Sequence, residues 1–308
     1  MAEQSKGSGR VDRISLLLPT RGRYHVASRF LQSVVDTTAR PADVEVVIYI
    51  DEDDVQSHEL DHPALTIEKI IGPRITMGSY NTACLERAKG DIIILVNDDV
   101  VIQTKGWDER IRSSAQAFSD DVYLAYANDL FKKKSLCAFP VLSRKVCDLL
   151  IDPYPAVYKG AFIDTHLLDI FRRLKYAGFD RLCYLEDVVF EHFHYRAGKA
   201  PLDETYTERN RFDDDHVFLE LRDWRQAAAT RLVQAIKGEE VDMSQPETEP
   251  WLASSNPISA VVRYGLFIFC DTNISWRWRS WLWVWFCGRY LAARGWLRPF
   301  IRPNPKGR

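Results

Sequence analysis

The sequence predicts an α/β protein built on a mostly parallel central sheet flanked by helices. Three observations carry this. The runs Ile14–Leu18, Val44–Ile50 and Asp91–Val96 are rich in Ile, Leu and Val, the character of strands buried on both faces. Segments of helical period separate such runs, the alternation expected of βαβ units. Polar clusters stand directly after them: Thr20-Arg21-Gly22-Arg23, Asp51-Glu52-Asp53-Asp54 and Asn97-Asp98-Asp99. A core does not tolerate unpaired carboxylates, so these clusters mark strand ends. In a parallel sheet the carboxyl ends converge on one edge, where ligands bind.

In chain order, residues 1–10 with Gly7 and Gly9 read as a flexible leader. The first strand ends at Pro19, and a helix follows to about Thr38 with Val26, Phe30, Val34 and Val35 on one face. After Val44–Ile50, Leu65–Ile71 reads as a third strand and Ser79–Ala88 as a helix closed by Gly90. Beyond Asp99 come a helix over Trp107–Phe118, a strand over Val122–Ala127 and a helix capped by Thr165 and running to about Ala177. Val188–His194 is strand-like with His192 and His194 on one face, and a long helix runs from about Glu208 to Lys237. Gly238–Pro250 is a linker by composition. The organisation expected is a body at 11–237, a linker at 238–250 and a C-terminal segment at 251–308.

Charge sets the C-terminal segment apart. Nine basic residues from Arg263 onward face one acid, Asp271, so this stretch carries +8 and residues 1–261 carry −10, for −2 in all. Five of the nine tryptophans lie between Trp276 and Trp285. The unbroken apolar run Trp281–Cys287 is far short of the ~20 residues that span a bilayer. Trp beside Arg suits a membrane interface instead, with the indole wet and the guanidinium on lipid phosphate. The competing reading is a Trp-rich surface that packs on the body or on a second subunit, which leaves a homo-oligomer open. Nucleic acid is a poor partner for an acidic body whose basic residues sit in one Trp-rich stretch. The six cysteines show no C-x-x-C pair, and Met1–Arg10 lacks the apolar stretch of a signal peptide. The expected location is therefore cytoplasmic, peripheral on the inner face of the cell membrane.

Asp98 and Asp99 at a strand end make a seat for a hard divalent cation, Mn2+ or Mg2+, that shares its coordination with phosphate. That points to a nucleotide-diphosphate substrate. The span from Ile14 to about Tyr206 resembles a GT-A glycosyltransferase of the family 2 type. The matching pieces are Leu18-Pro-Thr-Arg-Gly-Arg23, Tyr49-Ile-Asp-Glu-Asp53, Asn81 with Ala88-Lys-Gly-Asp91, and Val96-Asn-Asp-Asp-Val100 followed by Gly106-Trp107.

The resemblance implies a GT-A, Rossmann-like sheet with a nucleotide site at Thr20, Arg21, Arg23, Asp51, Asp53, Asn81 and Asp98, in which Asp51 contacts the base. Asn97-Asp98-Asp99 occupies the D-x-D position, with Asn in place of the first Asp, so metal duty falls mainly on Asp99. Glu186-Asp187 resembles the acidic pair that carries the catalytic base. His192 or His194, in Glu191-His-Phe-His-Tyr195, completes the metal site, with Gly198-Lys199 and Asp203-Glu-Thr-Tyr206 beyond. Arg74 and Lys199 join Arg21 and Arg23 as candidate diphosphate contacts. The function expected is a metal-dependent, inverting glycosyltransferase that moves a sugar from a nucleotide diphosphate, UDP favoured, to a glycan or lipid-linked acceptor at the cytoplasmic membrane face. The runners-up are a nucleotidyltransferase, which would want a glycine-rich loop after the first strand, and a non-catalytic membrane-associated scaffold, kept open by Asn97.

Overall fold

A computed structural model of the chain describes residues 12–194, 198–199, 212–252 and 254–296. The leader 1–10, Tyr195, Asp203-Glu-Thr-Tyr206, the start of the helix expected from Glu208, and Arg298, Arg302, Lys306 and Arg308 lie outside the described residues.

Eight strands are described: β1 Ile14–Thr20, β2 Val44–Asp51, β3 Thr66–Gly72, β4 Ile92–Leu95, β5 Val100–Ile102, β6 Leu124–Asn128, β7 Pro140–Ser143 and β8 Leu182–His192. Their order is β3-β2-β1-β4-β7-β6-β8-β5. β3, β2, β1 and β4 pair in parallel, as do β6 and β8. β7 is antiparallel to both its neighbours, and β5 is antiparallel to β8. β6 and β8 therefore point the same way as β1–β4, and the carboxyl ends of β1, β2, β4, β6 and β8 face one edge. β7 begins with Pro140, the strand position that tolerates a residue without a donor.

Side-chain alternation splits the core in two. Ile14, Leu16 and Leu18 of β1 pack with Phe30 and Val34 of helix α1 (Tyr24–Thr37) and with Trp107 and Ile111 of α3 (Trp107–Gln116). Leu17 belongs to the opposite face, with Cys84 of α2 (Met77–Arg87), Val146 of α4 (Arg144–Leu150) and the helices that follow. α2 comes close to the 154–158 loop at Gly78, whose N–H donates to the Tyr158 carbonyl at 3.0 Å. A Cβ at Gly78 would lie 2.0 Å from the Pro155 carbonyl oxygen, so only glycine fits.

The helix expected from Glu208 is broken: α6 (Asp215–Glu220) and α7 (Arg222–Lys237) meet at Leu221. The 238–250 stretch has no helix or strand but is pinned along α7. Pro246 O accepts Trp224 Nε1 at 2.7 Å, and Ser244 O accepts Arg231 at 3.0 Å.

The Trp/Arg-rich segment is helical. α8 (Pro257–Phe269) is capped by Asn256 and α9 (Trp276–Ala293) by Ser275. α9 buries Trp278, Leu282, Phe286 and Tyr290, and α8 buries Ala260, Tyr264 and Ile268, each a stripe at four-residue spacing. Both stripes join the core of the body. They close a buried charge cluster on α5 (Ile163–Tyr176). Asp169 accepts Arg173 at 2.9 Å, Arg225 at 2.6 Å and Trp278 Nε1 at 2.6 Å, while Arg173 also pairs with Asp271 at 2.6 Å. Burial opposes the Asp169 charge, but Arg173 and Arg225 outweigh it and hold the carboxyl below its usual range. No described helix is long and apolar enough to cross a membrane.

Candidate active site

The edge assembles from the base side outward. Gly22, at φ 63°, turns the chain after β1 and sends Arg21 and Arg23 to different partners. Arg21 reaches β2, at 2.5 Å from Asp51 and 2.6 Å from Asp53. These bonds lower the Asp53 pKa and raise that of Arg21. Tyr80 on α2 donates to the other Asp51 oxygen at 2.5 Å. Burial, then this bond, pushes the Tyr80 hydroxyl up, so it stays a donor. Asn81, the next residue, is buried, and its Oδ1 has no hydrogen-bond partner. A buried acceptor without a donor is rare in a folded chain.

Asp98 and Asp99 part company. Asp98 accepts Thr20 Oγ1 and Arg23, both at 2.8 Å, so its two oxygens tie the β4 end to β1. Burial raises its pKa, Arg23 opposes that, and Asp99 adds to it. Asp99 turns to the other half of the sheet. β5 and β8 pair with Val100 opposite His192, which sets Asp99 Oδ1 3.2 Å from His192 Nε2. Two donors about 2.1 Å from one cation and at right angles lie about 3 Å apart, so this pair fits adjacent places on a small divalent ion. No three His, Cys, Asp or Glu side chains form a metal-holding group among the described residues. That donor set fits an ion whose other places are taken by phosphate and water. His194 lies edge-on to His192, ring centres 5.1 Å apart, and stacks on Phe131.

Arg74 lies within electrostatic reach of Asp53, and Lys199 pairs with Glu191 at 2.7 Å. Arg21, Arg23 and Lys199 thus all hold carboxylates rather than standing as free cations.

The structure does not bring Glu186 and Asp187, expected as the acidic pair, together with the other residues at this edge. β8 runs toward the edge and ends at His192, five residues beyond Asp187. The register jumps from Ala127↔Leu185 to Asn128↔Val189, so the pair sits in a bulge well inside the strand. The Asp187 side chain is 70% exposed and ion-paired with Arg110 in the first turns of α3. That end of α3 docks on the far end of α1, with Gly106 N donating to Thr37 O at 2.7 Å. α1 starts beside the site and runs away from it, so Asp187 lies toward the far end of α1, beside Arg110 and Thr104.

Asp164 is a carboxylate that the sequence pattern did not single out. It is half-buried in the first turn of α5, behind Phe162, whose φ is 73°. Burial raises its pKa, while the Thr165 N–H and hydroxyl and the neighbouring His192 and Lys132 pull the other way. It therefore lies within electrostatic reach of His192. The signal in the sequence is an Asp one residue ahead of Thr165, and Thr165 alone reads as the cap.

No family model matches the sequence, and no curated protein matches it. Solved structures do. S. aureus TarS 1-349 in complex with UDP is similar at a TM-score of 0.53 and 12% identity, covering 94% of this chain and 92% of that one. The same protein with UDP-GlcNAc is similar at 0.51 and 14%, covering 93% and 92%. The mannosyltransferase PcManGT from Pyrobaculum calidifontis, in complex with GDP-Man and Mn2+, matches at 0.46 and 14%, covering 92% of this chain and 86% of that one. With the mixed eight-stranded sheet and its helical layers, the first two likenesses identify the architecture: this chain has the GT-A fold.

Proposed function

We propose that the protein is a metal-dependent, inverting glycosyltransferase that takes a sugar from a nucleotide diphosphate, UDP favoured. The observation that carries this is the convergence, on one sheet edge, of Arg21–Asp51–Tyr80 with the orphaned Asn81 acceptor and of Asp98 with the Asp99–His192 pair. The likeness to TarS with bound UDP and UDP-GlcNAc supports the same donor class.

In this reading Asp51 and Asn81 accept the base N–H, with Arg21 and Tyr80 fixing the Asp51 rotamer. Thr20, Arg23 and Asp98 hold the ribose side, with Asp53 behind Arg21. Asp99 and His192 would hold a divalent cation, Mn2+ or Mg2+, which offsets charge on the leaving diphosphate. Asp164 takes the proton from the acceptor hydroxyl as that oxygen attacks the anomeric carbon; its burial raises proton affinity in the direction a general base needs. Glu186 and Asp187 are assigned no catalytic role.

The acceptor in this reading is a glycan or lipid-linked glycan at the inner membrane face. Support comes from an exposed apolar ridge on α8, where Ile258, Val262 and Leu266 recur every fourth residue, with Trp276 and Val284 exposed on α9.

The test is calorimetric titration with UDP-, GDP-, CMP- and dTDP-sugars, with and without Mn2+. A UDP-sugar should bind only with the metal, and Asp99→Ala should lose that dependence while staying folded. Equal donor binding by wild type in excess chelator would sink the metal reading; no donor binding at all would sink the whole assignment.

A further inference from the structure

Beside the Asp99–His192 pair stands a loop that the reading above leaves unused. Asp129-Leu-Phe-Lys-Lys-Lys-Ser135 leaves the carboxyl end of β6. The buried Asp129 carboxylate accepts the backbone N–H groups of Phe131 at 3.0 Å, Lys132 at 2.8 Å and Lys133 at 2.6 Å. Its carbonyl accepts His192 N at 3.2 Å, which ties the loop to β8. Leu130 and Lys133 take φ of 54° and 50°. Side chains other than glycine rarely adopt that region, and such strain gathers at functional sites.

The loop is aimed as well as fixed. Phe131 stacks on His194 with ring centres 5.9 Å apart and planes 12° apart, and the Lys132 ammonium sits 4.7 Å from the Phe131 ring centre. Lys132 is also within electrostatic reach of Asp164. Lys132, Lys133 and Lys134 are all exposed, and none of their ammonium groups pairs with a carboxylate among the described residues. Three consecutive unpaired lysines are conspicuous in a stretch, residues 1–261, that carries −10. β4 and β7 separate β6 from β1 in the sheet. With one more step to β2, four inter-strand steps of about 4.8 Å put the loop about 19 Å from Asp51, on the half of the edge that carries His192.

We infer that the Lys132–Lys134 loop binds a phosphate group carried by the acceptor, close to the hydroxyl that is glycosylated. This rests on the transferase reading above. Ammonium groups on a preset backbone bind phosphate through charge-assisted hydrogen bonds, so the loop selects acceptors whose phosphate lies near the reacting hydroxyl. The phosphate belongs either to a soluble polyol phosphate or to a lipid headgroup.

The probes are glycerol 3-phosphate, glycerol and phosphatidylglycerol vesicles, each titrated against the full chain saturated with UDP and Mg2+. The variant is Lys132→Gln/Lys133→Gln/Lys134→Gln, in which only exposed side chains change. Glycerol 3-phosphate should bind and glycerol should not, and the triple variant should lose about tenfold in affinity, the scale of one charged hydrogen bond. UDP affinity should be unchanged. A loss confined to the vesicles assigns the phosphate to a lipid headgroup; a loss with glycerol 3-phosphate assigns it to a soluble acceptor. Identical binding of every probe by variant and wild type overturns the inference. So does a parallel fall in UDP affinity, since the lysines would then serve the donor. Failure of wild type to bind UDP refutes the transferase reading separately, and the glycerol 3-phosphate titration without UDP still reports on the loop.

Discussion

At Asp164 three features meet: partial burial, a first-turn position on α5 and proximity to His192. Asp187 has none of them and is neutralised by Arg110. Asp164→Asn should therefore lower transfer turnover by about two to four orders of magnitude, the usual scale for a general base, with donor affinity retained. Asp187→Asn should leave turnover close to wild type, and the reverse pattern would restore Asp187 as the base. The place of Thr20, Arg21, Asp51 and Asp98 at the sheet edge was legible because an Ile- and Val-rich run that gives way to polar residues marks the end of a strand. Asp164 was not, because its surroundings come from β8 and the 129–135 loop rather than from its own neighbours. Glu186-Asp187 had the right composition, but the bulge in β8 set its depth, and a bulge leaves no periodic trace in sequence.

Among the elements, β1, β2 and β4 were plain from their apolar runs, whereas β5 and β7 span three and four residues, too short for any period to register. α9 was harder still. Its arginines and tryptophans are spread around the helix, because Arg279 and Arg289 turn inward. Arg279 donates to Ile274 O and Phe269 O, and Arg289 pairs with Asp215. The Asp169 cluster fixes α5 by the same inward logic. Asp169→Ala would leave Arg173 and Arg225 buried with less compensation, and should cost about 3–5 kcal/mol in denaturant unfolding. The Asp169 pKa is depressed in the folded state, so its stabilisation is fully present above the ordinary carboxylate range and is lost as pH falls below it. Wild type should therefore lose more stability on acidification than Asp169→Asn, measured by urea midpoints on either side of that range.

For the whole molecule, the uneven charge reads differently once the hairpin of α8 and α9 is placed. Arg279 and Arg289 are engaged with the protein, so the membrane proposal rests on the exposed ridge of Ile258, Val262 and Leu266. Ile258→Glu/Val262→Glu/Leu266→Glu should abolish flotation with anionic liposomes while leaving UDP affinity unchanged. Retained flotation of that triple variant would remove the ridge from the membrane reading. A chain cut near Pro250 would strand Asp169 and Arg173 without Trp278 and Asp271. That same clamp has a consequence for biosynthesis. Asp169 and Trp278 are 109 residues apart in sequence. At about 5–20 residues per second, a ribosome needs about 5–20 s to make the second partner after the first. Through that interval α5, with Asp164 at its start, has Arg225 on Asp169 but lacks Trp278 and Asp271, so this clamp closes only after α9 emerges.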